Sequence, residues 1–207
     1  MIFLMKVAIL ADGMYLQHAC NMFGIGHIDP TKLPDILLRD DETHHRTYWF
    51  DALPYLPKVG ATLEQRKRRN DKHAYFDALR YKERIVIEEG EVIPKQATCH
   101  YCNREFYVPV QKMVDVKMSV RLVSLAWSET VEKIVLLTGD ADLVPAVKDV
   151  EQSKTTVRLA YLSEGTTQTS KTLIRECPEK HQLTKEDLEK CIWHEPTDKP
   201  ESNQKTT

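Results

Sequence analysis

The stretch KIVLLTGDADLVPAV, residues 133–147, reads as a buried strand, a tight turn and the opening of a helix. Ile134 to Leu137 is an apolar run without polar alternation, the pattern of a strand covered on both faces. Gly139 and Asp140 end it, and residues 143–151 supply a helix. The chain begins the same way, since KVAILA, residues 6–11, runs into Asp12 and Gly13. Two such strand-turn-helix units predict a mostly parallel sheet with helices packed on it.

The segments between them extend the alternation. Tyr48 to Phe50, within RTYWFDALP, is a candidate strand enriched in aromatic residues and threonine, ended by Asp51 and Pro54. Residues 61–82 lack Gly and Pro and predict a long helix carrying Leu63, Tyr75, Phe76 and Leu79. RIVIE, residues 84–88, returns as a strand, and residues 90–110, with Pro94, Cys99, Cys102 and Pro109, read as an insertion forming a loop with a small hairpin. Residues 111–127 give the clearest helix, with Val114, Met118, Leu122 and Leu125 at helical spacing. TVRLAYL, residues 156–162, is a further strand, and residues 183–193 form a terminal helix opened by Thr184 with Asp187 three residues on. Residues 1–194 therefore read as one domain, and the polar residues 195–207 as a disordered tail.

Composition narrows the class. Hydrophobic residues at 42% and charged residues at 29% fit a globular protein and point neither to wholesale disorder nor to a membrane protein. A net charge of -2 exerts no global pull on nucleic acid, so any such binding needs a local basic surface. The apolar start is broken by Lys6 and runs into Asp12, as in a buried strand rather than a signal peptide, and no stretch is long enough to span a bilayer. Five cysteines, an odd number without a secretory signal, favour a reducing compartment, so a cytoplasmic location is expected. A homo-oligomer or a protein partner is compatible with the sequence, which does not choose between them.

The carboxylates carry the functional signal. In open parallel sheets ligands sit outside the carboxyl ends of the strands, and Asp12 and Asp140 each follow a buried strand directly. Asp115 precedes Met118, Leu122 and Leu125 by three, seven and ten residues, which puts it on the inward stripe of its helix. A lone carboxylate there is costly unless it is paired or binds a cation. Asp142 and Thr138 complete a TGDAD element whose oxygens suit Mg²⁺ or Mn²⁺. The plainer alternatives are helix capping for Asp12 or Asp142, and pairing of Asp115 with Lys112 or Arg121.

Cys99-His-Tyr-Cys102 has the spacing of half a zinc site; Cys177 and His181 are the best candidates to complete it, against the alternative of two reduced thiols in a hairpin. Cys20 reads as core, and His44 and His45 as surface residues of a loop.

Taken in order, ILADGMYL, YFDALR, QKMVDVKMSVRLVSLA and LLTGDADLVPAV, followed by TVRLAYL, resemble the NYN domain family of PIN-like ribonucleases. The resemblance implies a Rossmann-like three-layer α/β/α fold, a divalent metal held by acidic residues, and hydrolysis of RNA phosphodiester bonds. Carried onto this chain, it implies Asp12, Asp115, Asp140 and Asp142 as metal-site residues with Thr138 as a nearby hydroxyl. Two positions depart from the family pattern: Tyr15 stands where many members have Asn, and Arg121 where members often have a second Asp.

A ribonuclease needs cations for phosphate. Lys112 and Lys117 flank Asp115, Arg121 could contact a scissile phosphate, and Arg66 to Arg69 form a basic run that otherwise reads as a solvated helix face. Tyr15 would either stack on a base or pack against the sheet. The expectation is a Mg²⁺- or Mn²⁺-dependent ribonuclease, with a catalytically weakened RNA-binding or protein-interaction module as the alternative. A phosphoaspartate enzyme is disfavoured, because the second Asp it would need two residues after Asp12 is Met14.

Overall fold

A computed structural model describes residues 4–162 and 169–194; the tail expected at 195–207 lies outside the described residues. The chain runs β1 (Met5–Asp12), α1 (Gly13–Phe23), α2 (Leu33–Leu37), β2 (Glu42–Asp51), α3 (Leu63–Arg80), β3 (Ile85–Glu89), β4 (Glu91–Thr98) and β5 (Glu105–Lys112). It continues with α4 (Val114–Trp127), β6 (Lys133–Leu137), α5 (Val144–Val150), β7 (Thr156–Leu162), α6 (Lys171–Glu176), β8 (Glu179–Leu183) and α7 (Lys185–Lys190). Six strands form one parallel sheet in the order β3-β2-β1-β6-β7-β8. The expected α/β/α layering is what the chain adopts.

Alternation along the central strands divides the core. Ala8, Leu10, Ile134, Leu136 and Leu159 face Val114, Met118 and Leu122 of α4, Val147 of α5 and Leu173 of α6. Val7, Ile9, Ala11, Val135 and Leu137 face Leu16 and Cys20 of α1, Phe76 of α3 and Leu188 of α7. Successive strand residues point to opposite faces, so a strand apolar at every position must be covered twice. Cys20 is core, as its sequence position implied.

The amino end of the sheet holds a closed ionic network. Arg158 of β7 is fully buried and donates to Glu42 at the start of β2, to the Leu37 carbonyl at 2.9 Å and to Glu179 of β8 at 3.1 Å. Lys133 Nζ lies 3.1 Å from Glu42 and 2.9 Å from Glu179. These two cations hold the Glu42 carboxyl down at about 2 against the pull of its own burial.

Several expected boundaries shift for identifiable reasons. β2 begins at Glu42, so His44 and His45 lie half-buried in a strand rather than in a surface loop, and His44 pairs with Thr47 at 2.9 Å. β5 runs through Lys112 and turns at Met113 with a φ of 72°, so α4 starts at Val114 instead of residue 111. The terminal helix cedes Leu183 to β8 and ends at Lys190, yet Thr184 and Asp187 still form the reciprocal cap, with bonds of 3.2 and 3.1 Å.

The insertion is an antiparallel hairpin, β4 and β5, in which Pro94 opposes Pro109. It springs from the carboxyl end of β3 and returns into α4. Gly90 at its root donates to the Asp51 carbonyl at 2.8 Å, and a side chain there would collide with Val114 and the Lys112 carbonyl. Among the described residues no helix is long and apolar enough to cross a membrane.

Candidate active site

Asp12 closes β1 and caps α1 at once. Its Oδ1 accepts from the backbone N–H groups of Met14 (2.9 Å) and Tyr15 (3.1 Å), while Oδ2 accepts from the Thr138 hydroxyl at 3.3 Å. The cap thus uses one oxygen of the carboxylate and leaves the other directed at Thr138. Burial pushes its carboxyl up to about 6, the two backbone N–H groups oppose the shift, and the charges of Asp115 and Asp51 add to it.

On the adjacent strand end, Asp140 caps the short turn 141–143 by accepting the Asp142 N–H at 2.9 Å. Its own N–H donates to the buried Thr138 hydroxyl at 3.3 Å. Thr138 therefore joins the Asp12 turn to the Asp140 turn.

Asp115 differs from expectation in place, though not in company. It lies in the first turn of α4 and is exposed at the rim, while Val114, Met118 and Leu122 form the buried stripe. A helix turns 100° per residue, and Val114, not Asp115, completes the four-residue spacing to Met118. Partial burial raises the Asp115 carboxyl, followed by the charges of Asp140 and Asp142. Asp115 thus feels the turns of both β1 and β6 across the carboxyl edge of the sheet.

Asp51 is the acidic residue that sequence reasoning passed over. It ends β2 beside Asp12, is buried, accepts from the Ala52 N–H at 2.7 Å and the Trp49 indole at 3.3 Å, and pairs with Lys72 of α3 at 2.5 Å. A side chain at Gly13 would collide with its carboxylate, which explains the glycine after Asp12. Its signal is a third strand-end Asp, at the close of the aromatic strand. Lys72, just beyond the basic run 66–69, is turned inward, its ammonium 5.3 Å from the Phe76 ring.

The donors at this rim are all oxygen, which fits a hard divalent cation. Among the described residues no three His, Cys, Asp or Glu side chains already converge into a cage, so the arrangement is an acidic rim rather than a formed coordination shell.

A family model described as the NYN domain matches residues 6–184, most of the chain and every strand of the sheet. The chain belongs to the NYN domain family. No curated protein and no solved structure gives a match. The NYN domain has a PIN-like, nuclease-type fold, and in this member the remaining residues proposed from sequence are distributed as follows.

Arg121 lies along α4 from Asp115, pairs with Glu88 of β3 and rests over the Tyr48 ring at 4.8 Å. Lys117 donates to the Glu89 carbonyl at 2.6 Å, and Lys112 is exposed at the root of the hairpin. Tyr15 is buried, its hydroxyl 2.8 Å from Thr169 and accepting the Leu162 N–H at 2.9 Å, so it packs against the sheet and offers no face to a base. Arg66, Lys67 and Arg68 are exposed on α3, while Arg69 donates to the Pro54 carbonyl.

The four-ligand zinc site expected from Cys99, Cys102, Cys177 and His181 is not assembled. Cys177 follows α6 and is buried in the apolar cluster with Leu173, where burial pushes its thiol up to about 12. His181 is on edge strand β8, whereas Cys99 and Cys102 occupy the tip of the hairpin.

Proposed function

We propose that this NYN domain is a divalent-metal-dependent ribonuclease that hydrolyses RNA phosphodiester bonds at the carboxyl rim of its sheet. The observation that carries this reading is a rim of carboxylates in which burial, with neighbouring acidic charges adding to it, raises Asp12 and Asp115. Among the described residues Asp12, Asp115, Asp140 and Asp142 form no ion pair, whereas neighbouring Asp51 is neutralised by Lys72. The four would hold Mg²⁺ or Mn²⁺, which supplies a Lewis acid for the phosphate and an acidified water. Asp12 Oδ2 and Asp140 are favoured as direct ligands, since each leaves one oxygen outside its cap. Asp115 and Asp142, exposed at the rim, would bind through water or orient the attacking water.

Phosphate attraction fits the same edge. Lys72, midway along α3, reaches Asp51 at the rim, so the earlier turns with Arg66, Lys67 and Arg68 border the strand ends. Such contacts make affinity fall with salt.

The direct test is cleavage of a labelled RNA with Mn²⁺ or Mg²⁺. Asp140→Asn should abolish metal-dependent cleavage and leave the fold intact, and undiminished cleavage would refute the assignment. Arg121 supports a second reading, an RNA-binding module with weakened catalysis, because it sets a cation paired with Glu88 where family members often carry an acid. RNA binding without Mn²⁺-dependent cleavage, in both the wild type and Arg121→Asp, would favour that module.

A further inference from the structure

The hairpin ends in a turn built around sulfur. Asn103 adopts a left-handed φ of 53°, its N–H donates to the Cys99 carbonyl at 2.9 Å, and the Cys99 N–H donates to the Arg104 carbonyl at 2.9 Å. Cys99 is half-buried at this tip. Cys102 is exposed beside it.

Zinc in structural sites takes four ligands, and the hairpin offers two thiols. All five cysteines and eight histidines are among the described residues, and among the described residues no third His, Cys, Asp or Glu side chain groups with this pair. Cys20, Cys177 and Cys191 are buried in the two cores with their thiols pushed up by burial, so they are not available to the tip. A second molecule can supply the two ligands that this tip lacks. The tip also carries apolar surface with nothing packed on it: Tyr101 is fully exposed, Tyr107 70% and Phe106 46%.

We propose that Cys99 and Cys102 are half of a tetrathiolate zinc site completed by the same two residues of a second copy of this chain, so that one Zn²⁺ joins two hairpins tip to tip. A two-fold contact presents identical half-sites to each other and closes on itself. Each chain releases its two thiol protons on binding, so the link weakens as acidity rises. The hairpin is rooted beside Asp51 and Asp115, which sets the joint on the same side of the fold as the acidic rim.

The test uses the full, reduced chain titrated with zinc alone, and in parallel with Co²⁺ as a spectroscopic reporter, with mass followed by light scattering. The mass should double from 24.0 kDa at one metal ion per two chains. The Co²⁺ form should show thiolate charge-transfer and tetrahedral d–d bands, and a strong chelator should reverse both changes. Cys99→Ser and Cys102→Ser should each stay monomeric with an unchanged melting temperature, because the tip contributes nothing to either core. A monomer binding one zinc per chain, a chain taking up no zinc, or a dimer that survives both the chelator and Cys99→Ser would each overturn the proposal.

Discussion

At the amino end of the sheet Arg158 and Lys133 are matched against Glu42 and Glu179, whereas at the carboxyl end Asp12, Asp115, Asp140 and Asp142 face one another without a cation among the described residues. Both clusters sit where strands end; Glu42, Lys133 and Arg158 are buried, while at the acidic rim Asp115 and Asp142 stay exposed. The amino end satisfies the desolvation of its charges from within the chain, and its Glu42 is held down. The carboxyl end provides no such partner among the described residues, and Asp12 and Asp115 are held up. Asp51 shows that the fold is able to neutralise a rim carboxylate, since Lys72 does so one strand away. The contrast separates a structural network from a site.

The largest effect should come from the matched end. Arg158→Met leaves Glu42 buried without its main partner, and breaking such a pair costs about 3–5 kcal/mol. Thermal melting should fall by roughly 10 °C. A loss below about 1 kcal/mol would mean that the network does not hold β2, β6, β7 and β8 together.

Next in size is the dependence of stability on pH, where the two ends have opposite signs. Asp12 titrates at about 6 in the fold against an ordinary 3.8, so its contribution is fully present below about 4 and is lost as pH rises through 6. Glu42 is held at about 2 against 4.5, so its contribution is present above 4.5 and is lost as pH falls toward 2. Acidifying metal-free protein from neutrality should first raise stability by about 1–2 kcal/mol and then lower it. Urea titrations across this range should show the rise shrink in Asp12→Asn while the fall remains; an undiminished rise in that variant would assign the effect to another group.

The smallest effect belongs to Asp115→Asn, which removes one of the mutually repelling charges at an exposed position. Equilibrium unfolding should change by no more than about 0.5 kcal/mol in the metal-free protein. A loss comparable to that of Arg158→Met would make Asp115 a structural residue and erase the contrast between the ends.

The carboxyl end was largely legible in the sequence because its residues follow runs that announce themselves. Asp12 ends β1 after the apolar run 7–11, Asp140 lies three residues past β6 after the apolar run 134–137, and the turn chemistry of Thr138 and Asp142 lies within the same few residues. Asp115 was legible as a member of the group but not in its placement, because the helix start depended on where β5 ended and on the left-handed turn at Met113. Asp51 escaped because its partner Lys72 is 21 residues away on another element, beside a run of exposed basic residues. The amino end escaped almost entirely. Arg158 sits inside a strand that looks apolar, and β8, with the polar sequence EKHQL, joins the sheet at an edge where burial demands little of it. Charge matching across four strands is non-local, and one chain's periodicity does not encode it.

The most direct measurement is the melting temperature of the wild type, Arg158→Met and Asp12→Asn, each with and without Mn²⁺. A ligand that binds only the folded state raises stability in proportion to the logarithm of its concentration over its dissociation constant. Mn²⁺ should stabilise the wild type and Arg158→Met by similar increments and should fail to stabilise Asp12→Asn. Equal stabilisation of all three proteins, or of none, would contradict the claim that the carboxyl end is left unmatched to receive a cation.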